Sequence, residues 1–372
     1  MKGKKGSLGC PYANRDYRTV NPEYGTMADF QALVDALHEK GMKCIIDVVY
    51  NHTSPDSTLT EEHPEFFYRK SDGSMGNHVG DWTDVVDLDY TVPALWDYQI
   101  ESLVQWAKVV DGFRCDVASF VPVEFWCKAR EAVEQVRPGV IWLAETVHSG
   151  FGQFSRQNGM YSASDYEMFR AFDMEYDYDI REVFDRYLKG EGHLSNYIDM
   201  LNFQECLYPA NHIKMRCLEN HDQPRICSFV KEEKSLRNFT AFLYFLKGTT
   251  LLYGGQEYCC VETPSLFEKD LFPREGRDIT AFLQKMYSIK KNILSHEDYF
   301  KGSADDGNDI AILAREDAGV KKLGVFSLKG READVKVDFP DGSYENAISG
   351  ETVTVQSGVL RCAGEPIILS TK

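Results

Sequence analysis

Four apolar, β-prone runs in this chain end in acidic or histidine residues: 47–52 (DVVYNH), 112–116 (GFRCD), 142–145 (WLAE) and 219–222 (ENHD). Stretches of helical periodicity lie between them. Buried strands that alternate with helices form a parallel sheet covered on its faces. A parallel barrel built this way presents functional side chains at the C-terminal ends of its strands. The runs therefore constrain both the fold class, α/β, and the place where chemistry belongs.

The clearest unit spans 26–52. Thr26 with Asp29 reads as a helix-capping pair, Phe30, Leu33, Val34 and Leu37 recur at helical spacing, and Gly41 stops the helix. Residues 44–49 then read as a fully buried parallel strand. The alternation continues with a helix near 95–108, a strand near 112–117, a helix over 123–136 and a strand over 140–144. Further strands are expected near 169–174, 215–219 and 250–253. The polar, aromatic-rich stretch between His52 and Tyr90 shows no sustained period and reads as an excursion inserted over the top of the barrel. After about Ser295, short alternating runs (310–313, 322–327, 334–338) separated by Gly and Asp turns predict a small antiparallel β domain. The expected domains are 1–294, carrying the insertion at about 53–90, and 295–372.

A chain of 372 residues can bury a large core. Its 41 basic against 58 acidic residues, a net charge of −17, would repel phosphate backbones and anionic lipid, so neither a nucleic-acid nor a membrane partner is expected. Aromatic residues, 13% of the chain, supply flat surfaces suited to sugar rings. The ten cysteines include no CxxC pair, which suits thiols in a reducing compartment, and the expected location is cytoplasmic. Residues 1–5 are basic with no apolar segment after them, so no signal peptide is expected.

In GFRCD the two-residue period of a strand puts Arg114 and Asp116 on one face, with Phe113 and Cys115 on the other. A guanidinium beside a carboxylate favours the ionised form that a nucleophile requires. The competing reading is an ordinary buried ion pair. Asp47 shares a face with Asn51 and is placed to buttress Arg114 from a neighbouring strand, while His52 reaches toward ligand. Glu145 emerges beside Trp142 and Leu143, an apolar setting that keeps a general acid protonated; the alternative is a loop or helix-start acid. In ENHD, Asp222 supplies a third carboxylate and His221 a hydrogen-bond donor. A metal centre is disfavoured, since HExxH spacing and Cys/His clusters are absent.

These motifs, in this order, resemble the four signatures of the α-amylase family of glycoside hydrolases, the retaining group called family 13. Residues 87–89 (DLD) resemble a short signature of its inserted domain B, and 12–26 resemble its loop after the second barrel strand. The resemblance implies a (β/α)8-type TIM barrel with a short domain B and a C-terminal antiparallel β-sandwich. It implies Asp116 as nucleophile, Glu145 as general acid/base and Asp222 as transition-state stabiliser. Tyr12, His52, Arg114 and His221 would line the sugar site, and Tyr12 matches the tyrosine that stacks on the ring being cleaved. Family members normally carry two strands and a helix upstream of the Tyr12 loop, where this chain has about ten residues. The expected barrel therefore lacks its first strands and exposes edges open to self-association.

Residues 117–120 (VASF) lack the Lys-His pair whose histidine contributes to a structural calcium site in many relatives, so no cofactor is expected and Asn51 is the one candidate calcium ligand. The implied activity is double-displacement hydrolysis of α-glucosidic bonds, mainly α-1,4, in starch, maltodextrins or related α-glucans. Gln223-Pro224-Arg225 and Val117 resemble oligo-1,6-glucosidases, whereas the short insertion suits an open cleft. Oligo-1,6-glucosidase or glucanotransferase activity and a non-catalytic sugar-binding role are the alternatives.

Overall fold

The computed structural model describes Gly6 and residues 9–272 and 274–371; the basic segment 1–5 lies outside the described residues. Thr26 and Asp29 form the expected capping box. Asp29 N–H donates to the Thr26 hydroxyl at 3.3 Å while the Asp29 carboxylate accepts from Thr26 N–H at 2.8 Å, and helix Met27–Glu39 follows. Gly41, at φ 70°, turns the chain out of that helix. The chain divides into two compact units, Met1–Asp179 with Ser265–Lys269, and Ile180–Pro264 with Asp270–Lys372.

In the first unit the strands are β1 (Ile45–Val48), β2 (His52–Thr53), β3 (Val86–Asp87), β4 (Gly112–Cys115), β5 (Ile141–Ala144) and β6 (Met174–Tyr176). β1, β4, β5 and β6 are parallel and adjacent in that order, with Asp47 opposite Arg114, Arg114 opposite Leu143 and Leu143 opposite Met174. β2 and β3 pair antiparallel within the inserted stretch. Phe113, Cys115, Trp142 and Ala144 belong to a core that includes Phe125 and Trp126 of helix Val123–Val136, with Trp126 stacked on Tyr50 at 6.0 Å. Burying one side of each strand in this way leaves Arg114, Asp116 and Glu145 on the other.

In the second unit β7 (Lys214–Arg216) and β8 (Thr249–Thr250) are parallel. Gly248, at φ 97°, lies where an added Cβ would sit 2.1 Å from the Lys214 carbonyl oxygen, so only glycine permits that approach. The C-terminal part holds β9 (Tyr299–Asp305), β10 (Ile310–Asp317), β11 (Val320–Ser327), β12 (Ala333–Lys336), β13 (Gly342–Glu345), β14 (Thr352–Gln356), β15 (Val359–Cys362) and β16 (Ile367–Ser370). They form two four-stranded antiparallel sheets, β16-β11-β10-β9 and β12-β15-β14-β13. Leu323, Val325 and Leu369 of the first sheet cluster with Val335, Val355 and Leu360 of the second, as alternating patterns predict for a sandwich.

Three strand expectations need correction. Residues 44–49 are not fully buried: Ile45 is 39% exposed and Asp47 is also open, because among the described residues β1 pairs on one side only. The strand expected near 169–174 is mostly a helical turn and bend. Ser164 and Glu167 form a capping box that starts helix Asp165–Met168, and β6 begins only at Met174. The strands expected near 215–219 and 250–253 are short and start one residue earlier, and the chain has already turned by Glu219.

Asp298 is fully buried and binds Arg315 Nε at 3.0 Å and Lys322 Nζ at 2.5 Å, both of them buried. Asp298→Ala would strand two cations away from water and should cost about 3–5 kcal/mol in urea unfolding. A loss below about 1 kcal/mol would mean that the triad contributes no more than an exposed pair.

Candidate active site

Arg114 is the hub of the first unit. Its Nη1 donates to both Asp47 carboxylate oxygens at 2.9 Å and to Asp116 Oδ1 at 2.7 Å, while Nη2 meets Glu145 Oε1 at 2.7 Å. The three acids come from the C-terminal halves or ends of β1, β4 and β5, brought to one side by the parallel register. The Tyr12 and Tyr176 rings lie 5.6 and 5.5 Å from the guanidinium carbon, a cation–π arrangement. Burial opposes the charge on Arg114, but Glu145, Asp47 and Asp116 outweigh it and hold the guanidinium above its ordinary value.

Three carboxylates share this one cation, and Asp47 stands above its ordinary value. Desolvation is the largest cause of its rise to about 6, with Arg114 opposing and Asp116 reinforcing. Its side chain keeps 38% of its surface open, so water screens part of that effect. The Tyr12 hydroxyl hydrogen-bonds Asp47, and burial pushes that phenol up as well.

Glu145 meets polar groups where an apolar wall was expected. Besides Arg114, it accepts the Val117 N–H at 2.9 Å on Oε2. The reason is strand alternation: Trp142 faces Phe113 and Phe172 in the core, while Glu145 lies on the opposite side. Val117 sits at φ 36°, ψ 44°, an outlier for a β-branched residue, and that conformation coincides with its N–H donating to Glu145.

His52 is buried with Nε2 4.0 Å from Asp116 Oδ2. Asn51 Nδ2 lies 3.1 Å from His52 Nδ1, and the ring also hydrogen-bonds the Tyr12 backbone. Burial lowers the His52 pKa despite Asp116, Asp87 and Asp84 nearby. Trp82 packs edge-on against the ring at 5.2 Å. The loop carrying Tyr12 is fixed to β2 by Ser54 N–H donating to the Asn14 carbonyl at 2.7 Å and the Tyr17 hydroxyl donating to the His52 carbonyl at 2.9 Å. Asn51, the candidate calcium ligand, faces His52, and among the described residues no three Asp, Glu, His or Cys side chains form a metal-holding group.

Asp222 and His221 belong to the second unit. His221 Nε2 lies 3.3 Å from Asp222 Oδ2, and both side chains retain solvent access, 19% and 37%. Their turn is organised by buried neighbours. Asn220 Oδ1 accepts the N–H groups of Asp222 and Gln223 at 2.9 Å. Glu219 binds Arg225 Nη1 at 2.6 Å and accepts the Ile226 N–H at 2.8 Å.

The first unit thus gathers Tyr12, Asp47, His52, Arg114, Asp116 and Glu145, all expected site residues. Tyr176, Trp82 and the Val117 amide join them without having been singled out as site residues. The period-two pattern within β6 could have flagged Tyr176; nothing local marks Val117, whose role comes from its backbone.

Residues 7–82 and 78–309 match the family model described as alpha amylase, catalytic domain, and residues 302–369 match that described as bacterial alpha amylase C-terminal domain. The chain belongs to the α-amylase family. It is 41% identical to an alpha-amylase from Lactobacillus plantarum of known structure, with a TM-score of 0.94 over 100% of this chain and 88% of that one. A noncanonic maltogenic alpha-amylase from Thermotoga neapolitana is 32% identical, TM-score 0.86, covering 99% and 86%. The intracellular maltogenic amylase of Bacillus subtilis is 25% identical over 327 residues, 82% of this chain and 54% of the relative. The chain spans about half the length of that relative. The fold class is that of these structures, a parallel β/α barrel with a C-terminal antiparallel β domain.

As pH falls through the ordinary histidine value of 6.5, the unfolded chain takes up a proton that folded His52 still refuses. Stability must then decline with falling pH in that window. Thermal unfolding of wild type and His52→Gln between about pH 7 and 5 should show wild type losing ground to the variant; parallel curves would mean that His52 titrates alike in both states.

Proposed function

We propose that this chain is a retaining hydrolase of α-glucosidic bonds, mainly α-1,4, in starch, maltodextrins or related α-glucans. The observation that carries the reading is Arg114 bound at once to Asp116 and Glu145, which fixes two carboxylates from adjacent strands for a two-step displacement. In the first step Glu145, in its protonated form, gives its proton to the leaving oxygen as Asp116 attacks the anomeric carbon, forming a glycosyl-enzyme. Water then attacks that carbon, Glu145 takes its proton, and the sugar leaves with Asp116 restored. The family resemblance assigns transition-state stabilisation to Asp222, whose Oδ2 lies 3.3 Å from His221 Nε2. Tyr12 and neutral His52 border the sugar site, and Asp47 supports Arg114.

The proposed mechanism uses no cofactor. No helix among the described residues is long and apolar enough to cross a membrane. None of the ten cysteines is disulfide-bonded, which supports a reducing, cytoplasmic setting. Leu33 and Ile45, 54% and 39% exposed, favour self-association along β1. Sedimentation velocity should then show a dimer or higher species that Ile45→Lys shifts toward monomer; a wild type that stays monomeric across the concentration range refutes that part.

Asp116→Ala should lower kcat on a pure maltooligosaccharide by at least about 10⁴-fold. Glu145→Gln should lower it by about 10²–10⁴-fold, and by much less on a glucoside whose leaving group needs no proton. Wild-type activity in Asp116→Ala would reject the nucleophile assignment. Product analysis separates the family alternatives, because glucanotransfer yields longer chains, hydrolysis only shorter ones, and cleavage confined to isomaltooligosaccharides indicates a 1,6-glucosidase.

A further inference from the structure

Three aromatic residues with no part in the displacement chemistry run outward from the proposed nucleophile within the first unit. Asp116 Oδ2 lies 4.0 Å from His52 Nε2, and the His52 ring meets Trp82 at 5.2 Å. Trp82 meets Phe151 at 6.2 Å, and Phe151 meets Phe154 at 6.4 Å. Phe120 packs against both inner members of the row, Trp82 at 6.4 Å and Phe151 at 5.2 Å. Exposure rises along the series: His52 and Phe120 are buried, Trp82 and Phe151 are half-buried, and Phe154 is 51% exposed.

The elements that carry these rings are fixed next to the catalytic groups. Phe120 ends the 3-10 turn Ala118–Phe120 that follows Asp116, and the Ala118 N–H donates to the Glu145 carbonyl at 2.9 Å. Phe151 and Phe154 belong to helix Ser149–Gln157, which follows Glu145. Their i, i+3 spacing puts them on one face of that helix, and the two rings stand within 25° of parallel. Trp82 comes from the inserted stretch. Its N–H donates to the Val79 carbonyl at 2.9 Å, and its own carbonyl accepts from Asn77 Nδ2 at 2.6 Å, which holds that turn in place.

We propose that Trp82, Phe151 and Phe154 form a stacking ridge that holds glucose units of an α-glucan beyond the one being cleaved, with Phe154 as its outer end; the choice of ligand rests on the hydrolase reading. A single exposed phenylalanine is ordinary on a protein surface. Phe154 differs because it is continuous, ring by ring, with His52 and so with Asp116. Binding sites of this kind combine aromatic walls with a few polar groups that fix orientation. A glucose ring offers C–H groups on its faces and hydroxyls at its rim, so a phenyl ring binds the face without ranking one hydroxyl over another. Phe151 and Phe154 carry no side-chain polar atom, and they therefore select for chain length. Contacts this far from the bond being cut tighten the hold on longer chains and position the sugar that reacts.

The test compares maltotriose with maltoheptaose as substrates of the whole protein. Wild-type kcat/KM should be higher on maltoheptaose, and Phe154→Ala should shrink that preference about threefold to tenfold, while Phe154→Tyr keeps most of it. Tyr299→Ala, which removes another exposed aromatic ring, in the C-terminal sheet, should leave the preference where it was. Calorimetric titration of the same two sugars into Glu145→Gln should show maltoheptaose affinity falling by a similar factor when Phe154→Ala is added. A length preference that is absent in wild type, or unchanged in Phe154→Ala, overturns the ridge and leaves the displacement chemistry standing. Failure of the wild type to cleave either sugar rejects the hydrolase reading instead. The titration then decides the ridge alone, and equal maltoheptaose affinity with and without the Phe154 ring overturns it.

Discussion

One guanidinium shared by three carboxylates organises the first unit. Arg114 is nearly shut off from water, so its charge is sustained only by the anions around it, and each anion is positioned by the same contact. A lysine could not do this, because the planar fork of arginine reaches Asp47 and Asp116 from one nitrogen and Glu145 from the other. The parallel register sets Asp47 opposite Arg114, which brings the two side chains within reach of each other. Tyr12 and Tyr176 cover the cation, and the unusual Val117 backbone supplies the donor for the second oxygen of Glu145. Asp47 is raised above its ordinary value, chiefly by desolvation, with the Asp116 charge adding to it and Arg114 opposing.

Buried cations serve a related purpose in the second unit. Arg225 is fully enclosed, bound to Glu219 and donating to the Gly254 carbonyl at 2.8 Å, with its guanidinium 4.3 Å from the centre of the Tyr253 ring. It ties the turn after β7 to the segment after β8, and the Asp222 backbone is set between that anchor and Asn220. In the C-terminal part, Asp298 with Arg315 and Lys322 replaces apolar packing with a charge cluster. Such clusters contribute little net stability relative to apolar residues, but they penalise any arrangement that separates the partners.

Much of this is legible in the sequence. The Thr26–Asp29 capping pair, the helix over 123–136, the antiparallel tail and the common face of Arg114 and Asp116 all follow from short-range rules. Local signals failed where a residue's environment comes from elsewhere in the chain. Hydrophobicity in 44–49 implied full burial, but exposure of Ile45 depends on whether both sides of β1 are covered. Apolar residues at 169–174 suggested a strand, yet Ala171 and Phe172 are buried from a turn that the Ser164 cap initiates. Glu145 follows an apolar run, but a strand's two faces meet different neighbours, and its face meets Arg114.

The sequence by itself determined which groups are available and which side of each strand they occupy, because alternation along a strand and capping of a helix are set by neighbouring residues. It determined the family as well, through four acid-ended runs in a fixed order. Tertiary structure decided which of those groups meet: Asp47, Asp116 and Glu145 on Arg114, His52 beside Asp116, and the Val117 amide on Glu145. Those properties depend on distance and burial between residues far apart in the chain, and a linear sequence carries neither.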